Sequence, residues 1–266
     1  MKSEDFKEFG VVIIESLKEE DKKTGTALHE EIIKYKKFIE SNLSSYLYIV
    51  NSKAEFFEVL KNLIEKIKTD KFYPILHIEA HGSEYGIELA SKEFVKWEEM
   101  IDLFREMNIL LSNMLIIMMG LCVGMSIIRV INPSKRAPFR AVIGAVHEVD
   151  EVELLIGCET FYDNFFFSFD HIKSLNLMNS EIDEKKSTFH LMTAEKCFEK
   201  MSDPDRDPIF FTKLIDQQVE VEKIQNQGLK GKTDQEIRAF AESKLRNVFS
   251  ELKTKEDFFL MNDLEE

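Results

Sequence analysis

Cysteine is scarce in this chain, and its scarcity excludes a disulfide-stabilised protein. The three cysteines, Cys122, Cys158 and Cys197, are too few and too widely spaced for a closed disulfide framework. Zinc-binding motifs are also missing from the sequence, because it has no Cys-x-x-Cys pair and no paired Cys and His spacing. We therefore expect reduced thiols, no metal and no cofactor, as in a protein of the reducing cytoplasm.

Positive charge is also in short supply, which argues against nucleic-acid binding. The chain has 35 Lys and Arg against 49 Asp and Glu, for a formal net charge of -14. Such an excess of negative charge repels phosphate backbones, and no cluster of basic residues in the sequence offsets it. The sequence therefore predicts no nucleic-acid partner.

Membrane-spanning segments and secretory signals are missing as well. The longest apolar stretch, residues 109–130, is interrupted by Gly120, Gly124 and Arg129, so it does not match a membrane-spanning helix. The first five residues lack the order of basic and then apolar residues that a signal peptide has. We expect a cytoplasmic protein without a membrane partner.

Apolar residues, by contrast, are plentiful and follow a regular pattern. They make up 44% of the chain, with 22 Phe, which is typical of a globular protein with a large core. In the first two thirds, short β-branched runs alternate with charged amphipathic segments, which predicts an α/β fold with a mostly parallel sheet flanked by helices. The predicted strands cover residues 10–14, 46–50, 74–80, 114–119 and 139–146, the predicted helices cover 27–38, 53–67 and 97–111, and a hairpin lies at 86–89.

The pattern changes beyond the fifth predicted strand. From about residue 151 it becomes helical, and the aromatic run over 161–169 is expected to lie in the core or at a subunit interface. Pro204 and Pro208 mark a break before a segment rich in Lys, Glu and Gln. We therefore divide the chain into one domain over residues 1–175 and a mainly helical extension over 176–266.

A His and a Cys stand at the ends of two successive predicted strands. His81-Gly82 follows the third strand, and Cys122-Val123-Gly124 follows the fourth. Because parallel strands place their carboxyl ends at one edge of a sheet, these residues are expected to lie side by side. A thiol next to an imidazole is a nucleophile next to its general base. The sequence therefore predicts a catalytic pair of Cys122 and His81.

Neighbouring residues are expected to support this pair. The backbone N–H groups of Gly82 and Cys122 are predicted to form an oxyanion hole. Glu79 alternates with His81 along the strand and is a candidate to orient the imidazole. A helix starting near Gly124 would favour the thiolate of Cys122. Residues 150–153, just beyond the fifth strand, are either part of an acidic pocket or a solvated helix start.

The residues around the predicted pair resemble those of a known enzyme class. The segment His81-Gly82-Ser83-Glu84-Tyr85-Gly86-Ile87 resembles the histidine loop of caspase-like cysteine peptidases, and Cys122-Val123-Gly124 resembles their Cys-x-Gly nucleophile turn. The segment 138–144 is similar to bacterial caspase-like domains of the CHAT type. Fewer residues separate the His from the Cys than the roughly 50 expected for true caspases. The resemblance covers about residues 8–175 and implies a caspase-like sandwich.

The resemblance also implies an activity. It implies a cytoplasmic cysteine endopeptidase that cleaves a protein substrate with a Cys/His dyad and without a cofactor. It further implies control by an activating partner or a small-molecule signal, and a role in bacterial antiviral defence or cell suicide. Gly120-Leu121 precedes the Cys and Val123 follows it, where caspases carry Gln-Ala and often Arg, so the preferred substrate residue stays open.

Two alternatives to an endopeptidase remain open from the sequence. One is a non-catalytic caspase-like interaction module that binds a partner through its helices. The other is a ligand-sensing domain that uses the crevice at the strand ends, although the chain has no Gly-rich phosphate loop.

Overall fold

The computed structural model describes residues 7–36, 43–182 and 189–264. The chain divides into two compact units. The first unit contains the chain up to Ile131 together with Ala137–Ala194. The second unit contains Asn132–Arg136 and Glu195–Leu264. The domain boundary predicted at residue 175 therefore lies within the first unit.

The first unit contains a sheet and the helices that flank it. Its strands are β1 (Glu8–Ser16), β2 (Leu43–Ile49), β3 (Phe72–Ser83), β4 (Gly86–Glu88), β5 (Phe94–Lys96), β6 (Ile116–Gly120), β7 (Ala141–Ala145) and β8 (Phe189–Thr193). Its helices are α1 (Thr24–Leu28), α2 (Lys34–Lys36), α3 (Lys53–Asp70), α4 (Trp97–Leu110), α5 (Glu151–Ser168) and α6 (His171–Ser180). A π-helical turn, His29–Ile33, joins α1 to α2. The helix predicted over 27–38 corresponds to this segment, except for residues 37 and 38, which lie outside the described residues.

The central sheet has the strand order β2-β1-β3-β6-β7-β8. Every neighbouring pair from β2 to β7 is parallel, whereas β8 runs antiparallel to β7. The β4–β5 hairpin continues from the end of β3. The prediction of an α/β fold with a mostly parallel sheet flanked by helices is confirmed. Strand β8 was missed, since it lies in the part of the chain that was assigned to helices.

Burial explains why these elements form. In β1 the run from Val11 to Ile14 is buried on both faces, which is typical of a central parallel strand. Helix α3 buries one stripe of apolar residues and is capped by Ser52, whose hydroxyl accepts the N–H of Glu55. The aromatic residues of the run over 161–169 are largely buried. Only Phe167, in α5, and Phe169, directly after it, are highly exposed in this run.

The described part of the second unit is mainly helical. It contains most of α7 (Ala194–Ser202), together with α8 (Pro208–Gln225), α9 (Asp234–Lys253) and α10 (Glu256–Leu260). Apolar residues of α8 and α9 form its core: Phe211, Ile215, Val219, Ile237 and Ala241. The predicted break is observed, because α7 ends before Pro204 and α8 begins at Pro208. Across the described ranges, none of the helices combines the length and apolar character needed to cross a lipid bilayer.

Candidate active site

A large cavity opens at the edge of the sheet where the parallel strands end. Its volume is about 1220 Å³, and its lining comes from the ends of β3 and β6, from the segments that follow β1, β6 and β7, and from the start of α5. Among the lining residues are Asp21, Glu79, His81, Gly82, Cys122 and Val149. The structure therefore brings the predicted nucleophile, base and oxyanion-hole residues to one cavity.

His81 lies near the end of β3, where the strand leaves the core. Its side chain is 48% exposed, and its Nε2 lies 2.8 Å from Oδ2 of Asp21. Because Asp21 engages Nε2, Nδ1 is the ring nitrogen left to exchange a proton with a nucleophile.

Asp21 is a site residue that the sequence analysis missed. It lies in the segment after β1, and its Oδ2 also accepts the backbone N–H of Lys18 at 2.8 Å. Burial alone would raise the pKa of this carboxyl, but the hydrogen bonds from His81 and Lys18 together hold that pKa below its ordinary value. Asp21 is thus poised to stay ionised beside the imidazole. Nothing in the charged segment around it distinguishes this aspartate from its acidic neighbours.

Cys122 follows β6 and is half-buried. The backbone N–H of Val149 points to its Sγ at 3.4 Å, and the thiol donates to the carbonyl of Val149 at 3.7 Å. The N–H of Val123 also donates to the carbonyl of His147 at 3.1 Å. Two sets of contacts therefore fix the turn at Cys122 against the segment between β7 and α5.

Gly82 is packed directly against the turn at Cys122. A Cβ atom at this position would lie 1.9 Å from the backbone oxygen of Cys122 and 2.5 Å from Cδ1 of Leu121. Only glycine fits this approach, so the absence of a side chain is what lets the histidine loop and Cys122 come together. The oxyanion-hole role of the N–H groups of Gly82 and Cys122 stays a prediction.

The helix predicted to begin near Gly124 is present, but it is of the 3-10 type. The segment Gly124–Val130 is a 3-10 helix, preceded by Val123 with a positive φ of 49°. A 3-10 segment has poorer hydrogen-bond geometry than an α-helix, so the macrodipole argument for an α-helix N-terminus does not transfer to this segment. The donor to the sulfur comes instead from Val149, just before α5.

Glu79 does not occupy the orienting position predicted for it. Its Oε1 lies 2.9 Å from Nε2 of His77, and its Oε2 accepts the hydroxyl of Thr24 at 2.6 Å. The carboxylate is 98% buried among these groups, whereas Asp21 bonds to His81. A residue from the segment after β1, Asp21, lies beside the imidazole instead.

Acidic side chains dominate the charged part of the cavity lining. Asp150 is the N-cap of α5, because its carboxylate accepts the N–H groups of Val152 and Glu153. It therefore begins the helix and lines the cavity at once. Further acidic lining residues are Asp21, Glu79, Glu84, Glu148 and Glu151, against Lys22 as a basic one.

The other two cysteines lie in the core, as expected of structural residues. Burial raises the pKa of the Cys197 thiol to about 12. Burial, followed by the charges of Glu79 and Glu159, raises the pKa of Cys158 well above its ordinary value. Both thiols are therefore poor nucleophiles at neutral pH, in contrast to the position of Cys122 at the cavity.

Comparison with known proteins gives no family for this chain, because no protein-family model and no curated protein matches it. Its function is therefore inferred from the geometry of this site.

Proposed function

We propose that this protein is a cysteine endopeptidase of the caspase-like class, with Cys122 as nucleophile and His81 as general base. One observation carries the proposal. Gly82 packs against Cys122 so closely that the histidine loop and the nucleophile turn share one wall of the cavity. The mostly parallel sheet, whose adjacent strands β3 and β6 present these two residues, supports a caspase-like sandwich.

The mechanism follows from the roles of these groups. His81 takes the proton from the Cys122 thiol, and the sulfur attacks the carbonyl carbon of the peptide bond. The N–H groups of Gly82 and Cys122 stabilise the oxyanion. His81 then gives its proton to the leaving amine, and the acyl group stays on the sulfur as a thioester. A water molecule that His81 deprotonates hydrolyses the thioester and frees the thiol.

Asp21 is the positioning residue of this proposal. Its carboxylate bonds to Nε2 of His81, which holds the ring with Nδ1 free to act and favours the imidazolium once the thiol proton has moved. The depressed pKa of Asp21 keeps it anionic at neutral pH. The proposed arrangement is therefore Cys, His and Asp, in which Asp21 is added to the Cys/His dyad predicted from the sequence.

The wider biological setting is proposed from the sequence resemblance. It comprises a protein substrate, control by an activating partner or small-molecule signal, action in the cytoplasm, and a part in bacterial antiviral defence or cell suicide. Neither formation nor hydrolysis of the thioester needs a cofactor in this mechanism. The acidic lining of the cavity disfavours a nucleotide as the ligand of a sensing domain, because phosphate groups would be repelled.

Cleavage of a defined peptide mixture tests the activity. The full chain is incubated with the mixture, and new peptide termini are identified by mass spectrometry. We expect cleavage by the wild type and by Cys197→Ala, and none by Cys122→Ala. Cleavage that persists in Cys122→Ala would show that another group is the nucleophile. No cleavage by any variant, together with an unreactive Cys122, would favour the interaction module.

A further inference from the structure

Three potential metal ligands meet inside the first unit, and the proposed peptidase mechanism uses none of them. They are the imidazole of His77, the carboxylate of Glu79 and the thiol of Cys158, and their ligand atoms all lie within 4.8 Å of one another. His77 and Glu79 alternate on β3 and share one face of the sheet, and Cys158 lies on α5. All three side chains are buried.

Two of the three candidate ligands, His77 and Glu79, are each held by a second partner. The hydroxyl of Tyr162 lies 3.0 Å from Nδ1 of His77, which directs Nε2 toward the cluster. Thr24 donates its hydroxyl to Oε2 of Glu79, which leaves Oε1 2.9 Å from that same Nε2. Metal-binding imidazoles and carboxylates are held in the same way, by partners on their far atoms.

Gly120 leaves room next to this cluster. A Cβ atom there would lie 2.6 Å from Nε2 of His77 and 2.9 Å from Oε1 of Glu79. Glu79 and Gly120 also line the large cavity, which gives an ion a route inward. The cluster is therefore buried but reachable.

The charges of the cluster favour a cation. Glu79 places a buried carboxylate within 4.8 Å of the buried Cys158 thiol and of the His77 imidazole. A divalent cation suits this set, because a carboxylate and a thiolate together balance its charge. A set of one N, one S and one O ligand suits zinc better than magnesium or calcium, which prefer oxygen alone.

We propose that His77, Glu79 and Cys158 bind one zinc ion that links β3 to α5. The site goes beyond the proposed peptidase activity and is independent of it. When the ion binds, Cys158 releases its thiol proton, and any proton shared by His77 and Glu79 also leaves for solvent. Zinc binding therefore weakens as the pH falls. The sequence showed no such site because Cys158 is far from the other two ligands along the chain.

Cobalt(II) is a suitable probe, because a thiolate ligand gives it a near-ultraviolet charge-transfer band. The full chain is stripped with a chelator, titrated with Co²⁺, and separately loaded with Zn²⁺ for metal analysis. We expect one metal per chain and the thiolate band in the wild type, Cys122→Ser and Cys197→Ser. Cys158→Ser should lose the band. Tyr162→Phe should bind about 10- to 100-fold more weakly, since His77 loses its second partner.

The results that support the zinc site differ from those that overturn it. If Cys158→Ser fails to fold, retention of the band in both Cys122→Ser and Cys197→Ser still assigns it to Cys158, the remaining thiol. A wild type without stoichiometric metal overturns the proposal, and so does a band lost in Cys122→Ser. Neither of these results bears on peptide cleavage, which is measured without added metal.

Discussion

At the scale of single residues, Asp21 is the clearest test of the site geometry. Asp21→Asn keeps the size of the side chain but removes the charge that supports an imidazolium. We expect kcat/KM to fall about 100-fold, the low end of what a positioned general base contributes. The pH profile of Cys122 alkylation should move to higher pH, and Asp21→Glu should restore part of both. The exposed neighbour variant Glu20→Gln is the matched control and should behave as wild type. An unchanged profile in Asp21→Asn would contradict the positioning role.

The same carboxyl predicts a pH dependence of stability. Its pKa is lower in the folded protein than its ordinary value of 3.8, so it contributes stability above pH 3.8. That contribution is lost as the pH falls through the folded pKa. We expect the wild type to exceed Asp21→Asn in free energy of unfolding by at most about 1 kcal/mol at neutral pH. Urea titrations at stepped pH should show the difference disappear in acid, and a difference that grows there would contradict the depressed pKa.

A substitution at Gly82 tests the close approach between the end of β3 and the turn at Cys122. Gly82→Ala places a methyl group against the backbone oxygen of Cys122, so one of the loops must shift. We expect a destabilisation of about 1 to 3 kcal/mol and a loss of activity of about 100-fold, since a misplaced nucleophile reacts slowly. The control is Gly228→Ala, where the nearest atom is the side-chain oxygen of Asn226 at 3.2 Å. Full activity in Gly82→Ala would show that the approach is not needed for catalysis.

At the scale of elements, the residue that caps α5 lies next to a residue that contacts Cys122. Asp150 caps α5 directly after Val149, the residue that contacts the Cys122 sulfur. Asp170 caps α6 through the same kind of bonds, away from the cavity lining. Both Asp150→Ala and Asp170→Ala should lower the free energy of unfolding by about 1 kcal/mol. Only Asp150→Ala should also slow alkylation of Cys122, and equal alkylation rates in both variants would contradict the coupling.

The elements also show what a sequence pattern can reveal. The parallel strands are evident as buried β-branched runs, and their order along the chain places His81 and Cys122 at one edge. Strand β8 is short and antiparallel, and it follows two helices, so its pattern merges with theirs. The 3-10 form of Gly124–Val130 depends on tertiary packing that a local pattern does not contain.

At the scale of the whole molecule, one part of the candidate site could be predicted from the sequence and another part could not. Residues at strand ends were predictable, since parallel topology brings those ends together. Asp21 was not predictable, because a loop brings it to His81 from 60 positions away in the chain. The cluster of His77, Glu79 and Cys158 is likewise formed by the packing of α5 on the sheet. This part of the site is formed by contacts between segments that are distant in the chain, and a single sequence does not show such contacts.

The most direct test of the central claim is the rate of iodoacetamide labelling at Cys122 against pH. Peptide mass spectrometry resolves this thiol from Cys158 and Cys197, which are buried and serve as internal controls. The proposed pair predicts rapid labelling of the wild type below about pH 7, and loss of that rapid labelling in His81→Ala. Slow labelling of both proteins, rising only near the ordinary thiol pKa of about 8.5, would contradict a catalytic pair of Cys122 and His81.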